Sequence, residues 1–326
     1  VTPGGQPALC AYLAPEGFEA ELRDELTASL DCARGPESKI EEHGRLMIAP
    51  GPPRAVAWAQ NIWCDARRIE IESIGEGARA LCALQRNWVL LSTGHHRRAA
   101  LIAEKLPHVS AKPLEFGAAL PKAPLGSWTL LDPKTLLAAP SCTSAFAHGA
   151  AQFICDRESA PSRAYLKLWE QITLLERRPA VGERALDLGS SPGGWTWVLA
   201  KLGLRVTSVD KAPLDARIEA MAGVEFRSAS AFALDPGEIG PLDWLFCDIA
   251  CYPERLLTMI RRWIQAGTCP RFVCTLKFQG ATDHATARAF AAIPHSRLLH
   301  LYHNKHELTW VRLPAEETLP LTPLHQ

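Results

Sequence analysis

Along the first 110 residues the spacing of hydrophobic positions changes period several times. Ala8 to Ala14 is an apolar run of strand length. Phe18 to Leu30 spaces its apolar residues as an amphipathic helix with acids on the polar face. Lys39 to Glu42 and Arg45 to Ala49 predict two short strands around His43-Gly44. Pro52 to Asn61 opens on prolines, which suit the first turn of a helix. Arg67 to Ile74 alternates Arg-Ile-Glu-Ile-Glu, the period of a half-buried strand. The predicted order, βαββαβ, is that of an α+β ferredoxin-like unit over residues 1–74. A helix at Glu76 to Arg86, a strand at Trp88 to Ser92 and a helix at Arg97 to Leu106 follow. Lys112 to Pro140, rich in proline and glycine, is expected to wrap between domains, with a flexible boundary near Arg157 to Pro161.

The second half is patterned differently. Ala185 to Leu188 is a short apolar segment carrying Asp187, and it breaks into Gly189-Ser190-Ser191-Pro192-Gly193-Gly194. Helical character resumes at Trp195-Thr196-Trp197, and a second apolar segment, Leu204 to Val209, closes on Asp210. Strand, glycine turn, helix, strand and acid make up one half of a doubly wound nucleotide-binding sheet. Glycines admit positive φ and let backbone N–H groups approach a ligand; the acid is placed to accept from ribose hydroxyls. A dinucleotide fingerprint would read G-x-G-x-x-G, whereas Pro192 here removes a donor. No Gly-Lys-Ser/Thr follows, which excludes a P-loop. Downstream, Leu242 to Asp248 and Phe272 to Lys277 are further apolar runs that stop on a charge. Strand ends of an open α/β sheet gather along one edge, so Asp187, Asp210, Asp248 and Lys277 should converge there. A solvated strand end is the alternative for each of them taken singly.

The run Asp187-Leu188-Gly189 followed by Pro192-Gly193-Gly194-Trp195 resembles the S-adenosylmethionine (SAM) loop of the FtsJ/RrmJ-type ribose 2'-O-methyltransferases. That resemblance implies a Rossmann-like SAM-dependent methyltransferase domain over residues 157–326, with its likeness running from Ser159 to Leu313. It implies cofactor contacts from Asp187, Gly189, Ser190, Ser191, Pro192, Gly193, Gly194, Trp195, Asp210, Ser230 and Asp248. The family works through a Lys-Asp-Lys-Glu tetrad. Ser162-Arg163-Ala164-Tyr165-Leu166-Lys167-Leu168 is similar to its upstream helix and supplies Lys167. Asp248 and Lys277 close the two later strands, and Tyr302 to Trp310 is similar to the closing hairpin, whose acid falls on Glu307. One position departs from the pattern: Ser230 stands where the family places an acid toward the adenine amine.

Methyl transfer to a 2'-hydroxyl needs that hydroxyl's proton removed. A lysine desolvated beside another cation has a lowered pKa and can serve as base. Lys277 is the candidate, Lys167 the neighbouring cation, Asp248 the orienting acid and Glu307 the group that holds the second lysine. The N-terminal architecture, with Pro15-Glu16-Gly17-Phe18-Glu19 before the first helix, resembles the RlmM-type 23S ribosomal RNA methyltransferases. There a ferredoxin-like unit precedes a THUMP RNA-binding domain. The resemblance implies a shortened THUMP-like region over residues 75–156, large-subunit ribosomal RNA as partner and a cytidine target. His95-His96-Arg97-Arg98, with Arg86 and Trp88 nearby, is a candidate phosphate and stacking contact, against the reading of a solvated helix start.

Composition narrows these readings. The 326 residues carry 35 Lys plus Arg against 35 Asp plus Glu, so no global positive charge draws in nucleic acid, although a local patch remains open. Ten cysteines show no C-x-x-C pair, and reduced buried thiols are expected. His303 and His306 have no cysteine or carboxylate at ligand spacing, so no metal is expected. Trp195 and Trp197 are explained by packing of their helix on the sheet. No apolar run reaches membrane-span length, and Val1-Thr2-Pro3-Gly4-Gly5 lacks the marks of a signal peptide. A cytoplasmic setting is expected. A catalytically silent RNA-binding relative and an oxidoreductase on the same fold stay open at this level.

Overall fold

The computed structural model describes residues 8–31, 39–156 and 158–317. Val1 to Gly5 and Arg157, on which two of the expectations above fall, lie outside them. The described residues divide into two compact units, 8–114 with 119–152, and 115–118 with 153–317.

The first unit runs β1 (Leu9–Leu13), α1 (Glu19–Asp31), β2 (Glu41–His43), β3 (Leu46–Pro50), β4 (Asn61–Glu70), α2 (Ile74–Leu84), β5 (Trp88–Leu90), α3 (His96–Ala103), β6 (Gly126–Leu130), β7 (Thr135–Ala139) and β8 (Ser141–Cys142). One sheet joins them in the order β2-β3-β1-β4-β7-β6-β5, with β8 paired to β4. Its continuity comes from β4, which pairs with β1 over its first half and with β7 from Arg67 to Glu70. Ala11, Leu13, Ile48, Trp63 and Leu137 pack together on one part of it, and Ile71, Leu81, Trp88, Ile102 and Trp128 on another.

Three expectations are corrected here. Residues 52–60 form no helix, and Asn61 begins β4. The Glu25 carboxylate takes the N–H groups of Ala57 and Trp58 at 2.8 and 2.9 Å, donors that a helix would have used internally. Trp58 is buried with its ring stacked on Phe18, so side-chain burial outweighs the local proline signal. Lys112 to Pro140 is not a bare connector, because Gly126–Leu130 and most of Thr135–Ala139 are buried strands within it. Trp88 is buried and its indole N–H donates to the carbonyls of Leu81 and Gln85, so it presents no stacking face to a base. His95, His96, Arg97 and Arg86 are exposed.

The second unit runs α4 (Tyr165–Leu174), β9 (Arg184–Leu188), α5 (Gly194–Lys201), β10 (Arg205–Asp210), α6 (Ala216–Glu219), β11 (Val224–Ser228), α7 (Pro236–Ile239), β12 (Trp244–Cys247), α8 (Pro253–Ala266), β13 (Arg271–Lys277), α9 (His284–Ala291), β14 (Ser296–Leu299) and β15 (Glu307–Arg312). Its sheet is ordered β11-β10-β9-β12-β13-β15-β14. The first five strands in that order are parallel neighbours, and β15 runs antiparallel to both β13 and β14. Buried on both faces, β12 and β13 read as continuous apolar runs, which is why their ends were legible. The strand order turns back at β9 and β12, so their carboxyl ends flank the crevice where such sheets take ligands. No helix among the described residues is long and apolar enough to cross a membrane.

Candidate active site

The β9–α5 turn is held by close backbone packing. Gly189 has φ 77°, and a Cβ there would lie 2.6 Å from Ile249 Cγ1 and 2.8 Å from its Cα. The turn can therefore press against the loop after β12 only without a side chain. Gly193, at φ 114°, starts α5. Asp210, at the end of β10, accepts from the N–H of Ser191 at 3.1 Å and of Ala212 at 2.9 Å, which ties the turn to the neighbouring strand. Ser191 Oγ donates to the Pro213 carbonyl at 2.8 Å.

Asp187 is fully buried. Thr196 Oγ1 donates to it at 2.6 Å and lies 2.8 Å from Ser208 Oγ, while Oδ1 has no partner among the described residues. Burial pushes its carboxyl up to about 7, and the charges of Asp248 and Asp210 add to the shift. Trp195 is likewise interior: its indole donates to the Ala164 carbonyl at 3.1 Å and its ring meets Phe246 edge-on. Trp197 stacks on Trp169, as packing alone requires.

A cavity of about 400 Å³ opens over the ends of β9, β10 and β12. Gly189, Asp210 and Ser230 line it. Asp187, Ser190 to Trp195 and Asp248 are not part of its wall. Phe232, Tyr252 and Arg255 also line it, and the sequence had singled out none of them. The Arg255 guanidinium sits 3.8 Å over the Phe232 ring, which fixes the loop after β11 against α8.

Lys167, Asp248, Lys277 and Glu307 come together. Asp248 lies between two ammonium groups. Lys167 Nζ donates to its Oδ1 and Oδ2 at 3.0 and 3.2 Å, and Lys277 Nζ stands 3.1 Å from Oδ1 and donates to the Asp248 carbonyl. Glu307 Oε1 is 2.9 Å from Lys167 Nζ. Glu307 is also paired across the β13–β15 ladder with Lys277, which brings the hairpin acid to the lysine strand. Burial pulls the Lys167 ammonium down, but the two carboxylates outweigh it and hold its pKa above the ordinary range. Side-chain exposure is 10% for Lys167 and 24% for Lys277, so Lys277 is the lysine more open to a reactant.

Residues 160–287 match the family described as FtsJ-like methyltransferase. The matched segment holds Lys167, Asp248 and Lys277, while Glu307 lies beyond the match. Among curated relatives, the ribosomal RNA large subunit methyltransferase M of Azoarcus sp. (strain BH72) is 37% identical over 167 residues, covering 46% of this chain and 45% of the relative. Its namesake in Aromatoleum aromaticum is 40% identical over 169 residues, 47% of this chain and 45% of that one. In Azotobacter vinelandii the figures are 35% over 198 residues and 55% of each chain. The chain thus spans about half the length of the curated relatives it matches. A solved rRNA methylase from Streptococcus thermophilus is 12% identical with a TM-score of 0.34, covering 45% of this chain and 94% of that one.

Within the matched segment, Thr196 escaped the reading of the sequence although it bonds Asp187. Its signal was a hydroxyl between two tryptophans in a helix otherwise apolar from Gly194 to Ala200. Among the described residues no group of three or more His, Cys, Asp or Glu is placed to hold a metal.

Proposed function

We propose that this chain is a SAM-dependent enzyme that methylates a ribose 2'-hydroxyl of large-subunit ribosomal RNA, with a cytidine as the target. The observation that carries the reading is Asp248, whose carboxylate is shared by Lys167 and Lys277 directly after the strand that flanks the glycine turn. The cofactor fits the residues present. A cavity of about 400 Å³ lies within the usual range for small-molecule sites. Gly189 leaves its floor free of a side chain, and Asp210, already anchored by two N–H groups, has lone pairs left for ribose hydroxyls. Gly189, Asp210 and Ser230 would hold the nucleoside, with Ser190 to Gly194 forming the turn beneath. When bound, SAM supplies a methyl group on a positively charged sulfur, open to attack by an oxygen.

Lys277 would take the proton of the 2'-hydroxyl at Nζ. Lys167 is kept cationic between its two carboxylates and would hold Asp248 where it meets Lys277. Asp248 orients both ammonium groups, and Glu307 anchors Lys167. In this reading residues 1–74 form a ferredoxin-like domain that lacks the second helix, 75–156 a shortened THUMP-like RNA-binding region and 157–326 the catalytic domain. The exposed His95, His96, Arg97 and Arg86 would meet phosphates, and the substrate places the protein in the cytoplasm.

Calorimetry with SAM and NAD, followed by transfer of a tritiated methyl group to 23S ribosomal RNA and mapping of 2'-O-methyl positions, tests the reading. SAM binding, no NAD binding and one labelled ribose are expected. Binding of NAD in place of SAM would point to an oxidoreductase; SAM binding without transfer to any rRNA would leave an RNA-binding relative.

A further inference from the structure

Glu170 lies on α4, one helical turn after Lys167, and is fully buried. An ionisable side chain in such a place is costly unless its oxygens are bonded. Its Oε1 accepts the N–H of Tyr302 at 2.8 Å and its Oε2 the N–H of His303 at 3.0 Å. His303 Nδ1 stands 3.2 Å from Oε2, near enough for contact but too poorly angled for a hydrogen bond. Tyr302 and His303 belong to the turn that delivers Glu307 to the start of β15. Further along, Asn304 of that turn and Thr309 of β15 exchange side-chain hydrogen bonds at 3.1 and 3.3 Å. One helix therefore touches the hairpin twice, through Lys167 on Glu307 at 2.9 Å and through Glu170 on the turn that precedes it.

We propose that Glu170 is a positioning residue for the methyl-transfer site: its carboxyl clamps the Tyr302–His303 amides and so sets where Glu307 meets Lys167. The inference rests on the methyltransferase reading above. Without the clamp two N–H groups lose their acceptor, the turn relaxes, and Glu307 no longer holds Lys167 against Asp248. Glu170 is one turn away from the reacting groups and acts only through them. Its neighbourhood explains why a carboxyl is needed: two N–H donors converge on one side chain, and a glutamine would turn its own NH₂ toward one of them.

The test uses the full chain. Glu170→Gln is expected to lower kcat on rRNA by about 10²-fold, the cost of a misplacement of ~1 Å, while the Kd for SAM and the KM for RNA stay within about twofold. In a Glu307→Ala background the same substitution should cost little more, because both act through Lys167. Hydrogen exchange on the unmodified protein gives a readout independent of any variant's folding: the Tyr302 and His303 amides should be as protected as those of β13. Fast exchange of these amides, an unchanged kcat, or losses that multiply in the double variant would overturn the role alone. An unmodified protein that binds SAM and transfers nothing overturns the functional reading, and this role with it.

Discussion

Lys167 and Lys277 share one carboxylate but differ in surroundings, and the difference is measurable. Lys167 is nearly enclosed and faces two acids, so Lys167→Ala takes from the buried Glu307 the ammonium it pairs with and leaves Asp248 with Lys277 alone. We expect a loss of roughly 3–5 kcal/mol in stability together with loss of turnover, read by urea unfolding and by tritium transfer. Lys277→Ala removes the more exposed ammonium and leaves the Lys167 bridge intact. It should cost turnover ~10²–10⁴-fold while the Kd for SAM and the melting temperature change little. Equal effects of the two substitutions on stability would contradict the assignment of different roles. At this scale the sequence was most legible where a charge closed an apolar run, as at Asp210, Asp248 and Lys277. Asp187 followed the same signal, yet its place inside β9 turned it inward to Thr196, away from the cavity. Which way a strand residue faces depends on the sheet's two layers, and no local pattern reports that.

The β9–α5 turn is the element on which cofactor binding depends. At Gly189 a methyl group would meet both the side chain and the backbone of Ile249, and its φ of 77° disfavours any L side chain. Gly189→Ala should therefore weaken SAM binding by at least about tenfold and destabilise the domain by roughly 1–3 kcal/mol, measured by calorimetry and by urea unfolding. A variant with native affinity would show that the β12 loop can withdraw without consequence for the pocket. Elements built from continuous apolar runs were readable in advance: β9, β10, β12 and β13 all fall where the pattern put them, within a few residues. The helix expected over Pro52 to Asn61 was not, because the decision was made elsewhere in the chain. Glu25 captures two of its N–H groups and Trp58 goes into the core. The strands hidden in Lys112 to Pro140 were missed for a related reason: proline and glycine punctuate that segment, but the sheet supplied partners on both sides.

For the molecule as a whole, buried ionisable groups give opposing dependences on pH. Burial raises Glu170 to about 8 and Asp187 to about 7, so the folded state binds protons that the unfolded chain has lost above its ordinary carboxyl range. Their contribution is complete below about pH 4 and is lost as pH climbs through 7 to 8. Burial lowers His300 and His303 to about 4, which gives the reverse sign: present above about 6.5 and lost as pH falls toward 4. Between about 4.5 and 6.5 the two pairs offset each other. From 6.5 to 8 only the carboxyls change, and stability should fall by up to about 1.4 kcal/mol per pH unit for each proton released. Urea midpoints across that range, flattened in Asp187→Asn and in Glu170→Gln, check this; a midpoint that rises from 6.5 to 8 would refute it. By itself the sequence determined the alternation of strands and helices in the second unit, the glycine turn and the four charged residues, because each is written in a few adjacent positions whose spacing or backbone freedom is a local property. Only the tertiary structure decided that Asp248 serves both lysines, that Glu170 clamps the hairpin, that Phe232 and Arg255 wall the cavity and that Trp88 is interior. Those facts depend on strands and loops distant along the chain coming into contact, and the energy of such contacts belongs to the pair and not to either segment alone.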